Sequence, residues 1–444
     1  MSQKIVFRLV KSIWLIACFI SFQQIVPAQN AVTIKGQVFD KTSNLPLSYA
    51  SVCIPNSGTG VITNEFGEFN YHLPENSDTD SVQISFIGYK KIYLKVTSIK
   101  PDVLCTFGME PEIKNIEEVQ IKGTKGTPAS MIVKRAIRSF YKNYPRTDFL
   151  VHGYYRDYIK DKSTNDFKNL TEAAVIIEDR GFNKLDYKQS KIKLEQIRYN
   201  PGFKADNKLN SGYNNKTKYV PNSSYKEANE LAILRLHDPI RNHNRKTFSF
   251  VYVFDDHFIP NHSFSYESII NDGFYKIYEI SFETYCKFFN VSKILETHSE
   301  ADSMSINNAK TEYRVKGKIY IHSKSYAILK FTYTVTCKLP SYSGKFFDLN
   351  LEYKNYDDKY FLNYLSMCNY FEFKTDTSSL SPVIPEQYFQ YRELFVNKIV
   401  TPPFNFINQV EAIRKNTTLN SNKVPIIQDF WINYNYTNYL KLIE

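Results

Sequence analysis

The feature that most constrains the fold of this 444-residue chain is a period-two alternation of apolar and polar residues between residues 148 and 399. Successive side chains of an extended strand point to opposite faces of a sheet, so this period is typical of strands that bury one face. Short polar turns such as Asn271-Asp272-Gly273 separate several of the segments and predict an antiparallel meander. The predicted strands are residues 148–160, 170–178, 191–199, 264–270, 274–283, 312–322, 326–337, 347–356, 360–373 and 387–399.

The same alternation indicates which face of the sheet is dry. Along residues 312–337, apolar side chains such as Ile319 and Phe331 alternate with polar ones such as Lys318 and Thr332. A strand of this kind buries one face and exposes the other to water. The dry face must therefore pack against something else.

Two helices are predicted, near residues 128–143 and 225–237; the second begins at the capping box Ser224-Tyr225-Lys226-Glu227. Two helices are too few to cover ten strands, so we expect the dry face to form a concave site for a ligand. The expected ligand-binding residues are Val315, Ile319, Ile321, Leu329, Phe331, Tyr333, Leu351, Tyr353, Met367 and Phe371.

Residues 32–110 show shorter alternating runs separated by glycine-rich turns, which is typical of a small β-sandwich. Their motifs, in order, are Gly36-Gln37-Val38-Phe39-Asp40, Pro46-Leu47-Ser48-Tyr49-Ala50-Ser51-Val52, Gly60-Val61-Ile62-Thr63-Asn64-Glu65-Phe66-Gly67-Glu68-Phe69 and Ser85-Phe86-Ile87-Gly88-Tyr89. This order resembles the carboxypeptidase-regulatory-like module. The resemblance implies a transthyretin-like β-sandwich at residues 29–112, without chemistry of its own, as found in front of outer-membrane TonB-dependent receptors.

A predicted linker at residues 113–127 follows the sandwich. The receptor relatives continue into a plug and a barrel, whereas Pro128-Ala129-Ser130 opens a helix here, which puts transport through the membrane in doubt. Residues 317–330 resemble the strand-turn-strand of periplasmic lipoprotein carriers, whose half-barrel cups a helix or an acyl chain. The predicted fold class is therefore mainly β: a transthyretin-like sandwich, then a curved antiparallel sheet (half-barrel) with a few helices over residues 128–444.

Residues 1–28 have the pattern of a secretory signal peptide. Lys4, Arg8 and Lys11 precede an apolar run, and Val26-Pro27-Ala28 forms a small-residue cleavage site before Gln29. Two alternatives stay open: an uncleaved anchor and a lipoprotein acylated at Cys18. We expect an exported protein in the periplasm or at the periplasmic face of the outer membrane, attached to the membrane peripherally at most.

Charge and cysteine content exclude some classes of protein. The net charge is +11, but the basic residues are scattered among acidic ones, so no nucleic-acid partner is expected. Five cysteines remain after the signal peptide, without the C-x-x-C spacing of a zinc site. A disulfide between Cys53 and Cys105 is left open.

The common hydrolase, metalloprotease and nucleotide-binding motifs are absent from the sequence. A dense polar cluster contains the residue types that ligate zinc, but it lies in a loop-rich stretch and surface or turn roles are favoured. Its members are His237, Asp238, His243, Asp255, Asp256, His257 and His262. We expect neither a cofactor nor a bound metal.

Two classes of function follow. The first is a non-enzymatic cell-envelope protein of a Gram-negative bacterium that binds an apolar or amphipathic ligand, such as a lipid or lipoprotein, or an outer-membrane receptor protein. The alternative is a metal-assisted hydrolase acting on envelope or glycan material near His257 and His262.

Overall fold

A computed structural model describes most of the chain after the predicted signal peptide. The described ranges are residues 32–74, 77, 81–99, 103–112, 128–199, 229–243, 250–255, 257–273, 275–286, 312–338, 343–373, 386–414 and 417–435. Predictions for the signal peptide, for the linker at residues 113–127 and for the capping box at residues 224–227 lie outside these ranges.

The N-terminal part folds as two small sheets that share one core. Its strands are β1 (Thr33–Asp40), β2 (Ser51–Cys53), β3 (Gly60–Ile62), β4 (Glu68–His72), β5 (Ser81–Ser85), β6 (Ile92–Lys95) and β7 (Leu104–Met109). Within the described residues they are ordered β4-β1-β7 and β3-β2-β5-β6. Val38 and Tyr71 from one sheet and Ile84 from the other are fully buried in the common core. The predicted sandwich is confirmed.

Local chemistry in this sandwich agrees with the turn motifs. Gly67 has a φ of +73°, and a Cβ there would lie 2.2 Å from the carbonyl oxygen of Val38, so this turn requires glycine. Cys53 and Cys105 are both free thiols, and the disulfide left open by the sequence is not formed.

The ten strands predicted after residue 148 are all present and form one sheet. They are β8 (Phe149–Asp161), β9 (Phe167–Asp179), β10 (Lys191–Tyr199), β11 (Ser263–Asp272), β12 (Tyr275–Cys286), β13 (Glu312–His322), β14 (Ile328–Lys338), β15 (Ser343–Tyr356), β16 (Lys359–Phe373) and β17 (Glu386–Val400). The predicted curved antiparallel sheet is confirmed.

The order of the sheet over the described ranges is β10-β9-β8-β17-β16-β15-β14-β13-β12-β11. It contains two meanders, β8 to β10 and β11 to β17, which join where the last strand pairs with the first. Twelve residue pairs from Tyr388↔Asp161 to Val400↔Leu150 form this junction. The chain therefore leaves the sheet at one edge after β10 and re-enters it at the opposite edge as β11.

Both predicted helical regions contain helices, with shorter bounds, and two further short helices were not predicted, Asp186–Gln189 and Phe430–Asn433. The helices are α1 (Ala129–Arg138), α2 (Phe140–Asn143), α3 (Asp186–Gln189), α4 (Glu230–Leu236) and α5 (Phe430–Asn433), with 3-10 turns at Val96–Ser98 and Leu419–Ser421. The helix predicted at 128–143 is observed as α1 and α2. Asn229 caps α4, because its side chain accepts a hydrogen bond from the backbone N–H of Ala232 at 2.9 Å.

Buried ion pairs anchor α4 and the turn that follows it to the sheet. Asp179 at the end of β9 accepts hydrogen bonds from Arg235 at 2.6 Å and from Arg241 at 2.9 Å. Arg235 also pairs with Asp186 of α3 at 2.6 Å. The four side chains are nearly inaccessible to water, so each charge depends on its partner.

A neighbouring carboxyl predicts a pH dependence. Burial raises the pKa of Asp238 to about 6, although Tyr353 Oη and the backbone N–H groups of Ile240 and Arg241 donate hydrogen bonds to it. A carboxyl with a raised native pKa binds more protons when folded, so its stabilising contribution is present at low pH and is lost as pH rises from about 4 to 6.

Asp238→Asn should remove this dependence. Between pH 4 and 7, the free energy of unfolding of the wild type should fall by about 2 kcal/mol relative to the variant. Urea unfolding of both proteins over that range measures the difference and cancels other titrating groups. If the free energy of unfolding changed with pH in the same way in both proteins, Asp238 would have the same pKa in the folded and unfolded chains, which would contradict the prediction.

Candidate functional site

Most of the ten residues predicted to line an apolar site belong to the sheet face that carries the core. Eight of them are at most 5% exposed, namely Val315, Ile319, Ile321, Phe331, Tyr333, Leu351, Tyr353 and Met367. Leu329 is half-buried, because β14 has a bulge here and Ile328 takes the buried position opposite Ile321. Phe371 lies on β16 opposite Tyr388, and its side chain is outside the described part of the structure.

A segment without regular secondary structure helps to cover this dry face. Phe254 packs against Phe331 with ring centroids 5.4 Å apart, and Phe250 packs against Phe347 at 5.3 Å. Phe331 is also stacked on Phe282 at 5.2 Å. The surface that we expected to be open is therefore filled by the protein itself. A ligand-binding role for the ten residues has no direct test and stays a prediction.

The histidine cluster is divided between the core and the surface. Three of its histidines are buried, and each packs against a phenylalanine ring; they are His237, His243 and His262. His257 is exposed, with Nδ1 3.1 Å from Asp255 Oδ1. Among the described residues, which omit Asp256, no group of three His, Cys, Asp or Glu side chains is placed to hold a metal ion.

The opposite face of the sheet carries a continuous row of polar side chains. The cross-strand partners, read from β11 to β10, are Ser265, Ser281, Lys318, Thr332, Asn350, Ser366, Glu393, Arg156, Glu172 and Arg198. Each strand contributes one residue. Because side chains on one face repeat every second residue, the strand register alone aligns this row. It belongs to the wet face that the alternation predicts.

A groove of about 840 Å³ lies over part of this row. Seven strands, β11 to β17, contribute to its described lining, and Tyr49 of the N-terminal sandwich contributes to its wall. Polar floor residues include Ser281, Thr332, Asn350 and Ser366. The groove is therefore a space between two domains, with a hydrophilic floor. Of the ten residues predicted from the dry face, Tyr333 also borders this groove.

The N-terminal sandwich contacts the sheet at several places, among them the following two. Tyr49 stacks on Tyr364 of β16 with ring centroids 4.9 Å apart, and Ile62 is buried in the same aromatic cluster. Lys91 Nζ forms an ion pair with Asp272 Oδ1 at the end of β11, at a distance of 2.7 Å. Together these contacts hold the sandwich over the wet face.

Several charged groups in and beside the groove are paired within the sheet. Lys318 Nζ lies 2.8 Å from Glu279 Oε1. Burial opposes ionisation of Glu279, but hydrogen bonds from Lys318, Ser268 and Tyr320 outweigh it and lower the pKa of Glu279 to about 2. Glu279 therefore stays charged over the physiological pH range and fixes the position of Lys318.

Asp348 on β15 is held in the same way. Thr334 Oγ1, Tyr370 Oη and Lys345 Nζ each lie 2.6 Å from one of its carboxylate oxygens. Burial, together with the Asp348 carboxylate that accepts its hydrogen bond, raises the pKa of Tyr370. The groove lining is thus a preorganised hydrogen-bonding surface.

The buried end of the groove contains an ion pair between β8 and β17. Arg156 Nε lies 2.9 Å from Glu393 Oε2, and Tyr364 Oη donates to Glu393 Oε1 at 2.7 Å. Both charged side chains are at most 2% exposed. Tyr49 covers Tyr364, so docking of the sandwich excludes water from this pair.

Sequence reasoning identified the wet face but did not assign a site to it. The sequence does contain a signal for this site, because each of the ten strands has a polar residue at the position that joins the polar row. Aligning those positions requires the strand register, and the register depends on pairings such as β8 with β17 that lie far apart in sequence.

Residues 34–121 match the family model described as CarboxypepD_reg-like domain. This confirms the module predicted from the N-terminal motifs, over about a fifth of the chain. No curated protein matches the sequence. In the described part of the chain, no helix has the length and apolar character needed to cross a membrane.

Two solved structures are similar at low identity. A DUF1329 family protein from Desulfovibrio piger ATCC 29098 is 8% identical, covers 63% of this chain and 95% of its own, and has a TM-score of 0.23. A putative membrane-associated protein of unknown function from Bacteroides fragilis NCTC 9343 is 8% identical, covers 83% and 98%, and has a TM-score of 0.14. Scores this low carry no argument about fold or function.

Proposed function

We propose that this chain is a non-enzymatic binding protein of the bacterial cell envelope, and that its ligand occupies the polar groove between the sandwich and the sheet. The export pattern of residues 1–28 supports the location. The single observation that carries the binding role is the 840 Å³ groove with its ordered polar floor. Binding sites are typically concave and preformed, with a few fixed polar groups.

The geometry favours a polar ligand over the apolar or amphipathic one expected from the sequence. An acyl chain on the dry face would have to displace Phe254 from Phe331, where both rings are buried. Losing such packing costs several kcal/mol. The polar groove requires no such displacement, because its space is already open.

The hydrolase alternative gains no support from the described side chains. His262 is buried, and its Nδ1 lies 2.7 Å from the carbonyl oxygen of Phe258. Burial lowers the pKa of His262 to about 4. His257 is on the surface, with its side chain 76% exposed. These positions favour packing and surface roles over a shared catalytic centre.

Blocking the groove should abolish ligand binding. Thr332 is half-buried and lies on β14, the middle one of the seven strands that line the groove, so Thr332→Trp places a large ring in the groove. Thr336→Trp is the matched control, because Thr336 is on the same strand and face but is exposed and outside the described lining. Native mass spectrometry of the proteins isolated from a periplasmic extract measures the bound ligand.

The expected result is a bound mass on the wild type and on Thr336→Trp, with at least a tenfold lower occupancy on Thr332→Trp. Equal occupancy on all three proteins would place the ligand elsewhere. A wild-type protein that carries no ligand after isolation and after exposure to the extract would contradict the proposed function.

A further inference from the structure

We infer that the ligand of this groove is a linear, uncharged polysaccharide whose chain lies across the strands. The inference rests on the proposed function and names the chemical class of its ligand. Three properties of the groove lead to it: the spacing of its floor groups, the pairing of its charges, and the mixture of hydroxyl groups and aromatic rings in its lining.

Spacing comes from the register of the sheet. Neighbouring strands lie about 4.8 Å apart, so the partners Ser281, Lys318, Thr332, Asn350 and Ser366 present one hydrogen-bonding side chain at each step. One sugar ring of a linear glycan is about as long as this step. An extended peptide advances only about 3.3 Å per residue and falls out of step with the row.

The lysines of the groove lining are paired with carboxylates, which disfavours a ligand that would be held mainly by its own charge. Each of the three lysines in the described lining has a carboxylate partner: Lys316 with Glu283, Lys318 with Glu279 and Lys330 with Glu352. An anionic ligand would have to compete with these carboxylates for each lysine. The described lining contains four carboxylates, Glu267, Glu283, Asp348 and Glu393, beside the three lysines, so its charges nearly balance and do not favour phosphate, uronate or a basic peptide.

Hydroxyl-rich linings suit a ligand whose groups both donate and accept. Ser281, Thr332 and Ser366 can do either, and Asn350 offers a donor and an acceptor on one rigid amide. The hydroxyl groups of a sugar also both donate and accept hydrogen bonds. Tyr49 and Tyr391 line the same groove and offer aromatic rings on which the C–H face of a sugar can pack.

The test uses the purified full chain and a series of neutral oligosaccharides of increasing length, cellooligosaccharides and laminarioligosaccharides, in isothermal titration calorimetry. Affinity should rise with each added sugar up to about six, the number of strand spacings from β11 to β17, and then level off. Polygalacturonate, a polylysine peptide and a fatty acid serve as probes of the other ligand classes.

Two pairs of variants distinguish the loss of a ligand contact from the loss of the folded structure. Thr332→Trp should abolish binding, and Thr336→Trp should not. Asn350→Ala removes one amide from the floor and should weaken binding about tenfold, whereas Asn355→Ala changes an exposed residue of the same strand and should have no effect. Thermal melting confirms that each variant is folded, and the Asn350 pair decides the test if Thr332→Trp does not fold.

The outcomes distinguish this inference from the proposed function. Tight binding of polygalacturonate, polylysine or the fatty acid, with weaker binding of every neutral glycan, would overturn the inference. The inference would also be overturned if no neutral glycan bound, while a ligand isolated from the periplasm still bound the wild type and was lost in Thr332→Trp. In that case the proposed function would stand. Length-dependent binding that is unaffected by Thr332→Trp and Asn350→Ala would place the glycan outside the groove and contradict both.

Discussion

Arg156→Met should lower the free energy of unfolding by about 3–5 kcal/mol. The substitution leaves the Glu393 carboxylate buried, where its exposure is at most 1%. Hydrogen bonding from Tyr364 alone does not offset the cost of burying this charge. Urea or thermal unfolding of the full chain measures the loss.

Two further variants interpret that result. Arg314→Met removes an ion pair of the same type from an exposed position, 46% accessible at the arginine, and should cost far less, because water and salt screen an exposed pair. Arg156→Met combined with Glu393→Met should recover part of the stability, because neither charge is then left alone. If Arg156→Met costs no more than Arg314→Met, the buried pair does not hold β8 against β17.

Phe331→Asp should prevent the sheet domain from folding, whereas Thr332→Asp should be tolerated. These adjacent residues point to opposite faces of β14: Phe331 is fully buried among aromatic rings, and Thr332 lies in the polar groove. The substitution loses the packing of a buried phenylalanine, about 3–5 kcal/mol, and adds the cost of burying a carboxyl group without a partner, so the total approaches the roughly 5–15 kcal/mol that stabilises a typical domain. Soluble yield and thermal melting compare the two variants.

The comparison also tests the apolar site expected from the sequence. If Phe331 lined an open groove, its replacement by aspartate would leave the fold intact and would abolish uptake of a fluorescent fatty acid. A folded Phe331→Asp protein would therefore contradict the filled core described here. An unfolded Phe331→Asp together with a folded Thr332→Asp assigns the packed and open faces as the structure does.

The sequence predicts the strands well because alternation is a local property. All ten segments after residue 148 are strands, and the residues assigned to the dry face are buried apart from Leu329 and the undescribed side chain of Phe371. Leu329 departs from the pattern because a bulge adds one residue to β14 and moves Ile328 into the core. Such a bulge leaves no signal in apolar periodicity.

Coverage of the dry face could not be predicted from the same pattern. The sequence predicts two helices as its cover, but Phe250, Phe254 and Phe258 come from a segment with no regular period and complete the core. Their contacts depend on the chain crossing from the β10 edge to the β11 edge, which is a property of the tertiary fold. The alternation therefore gives no sign that aromatic side chains cover the dry face, and a ligand-binding role for its residues stays a prediction.

The most direct test of the account is a crystal structure of the protein isolated with its ligand from the periplasm. Ligand density is expected in the groove, in contact with Thr332, Asn350 and Ser366 and bordered by Tyr49. Density on the dry face, with Phe254 displaced from Phe331, would contradict the proposed binding site.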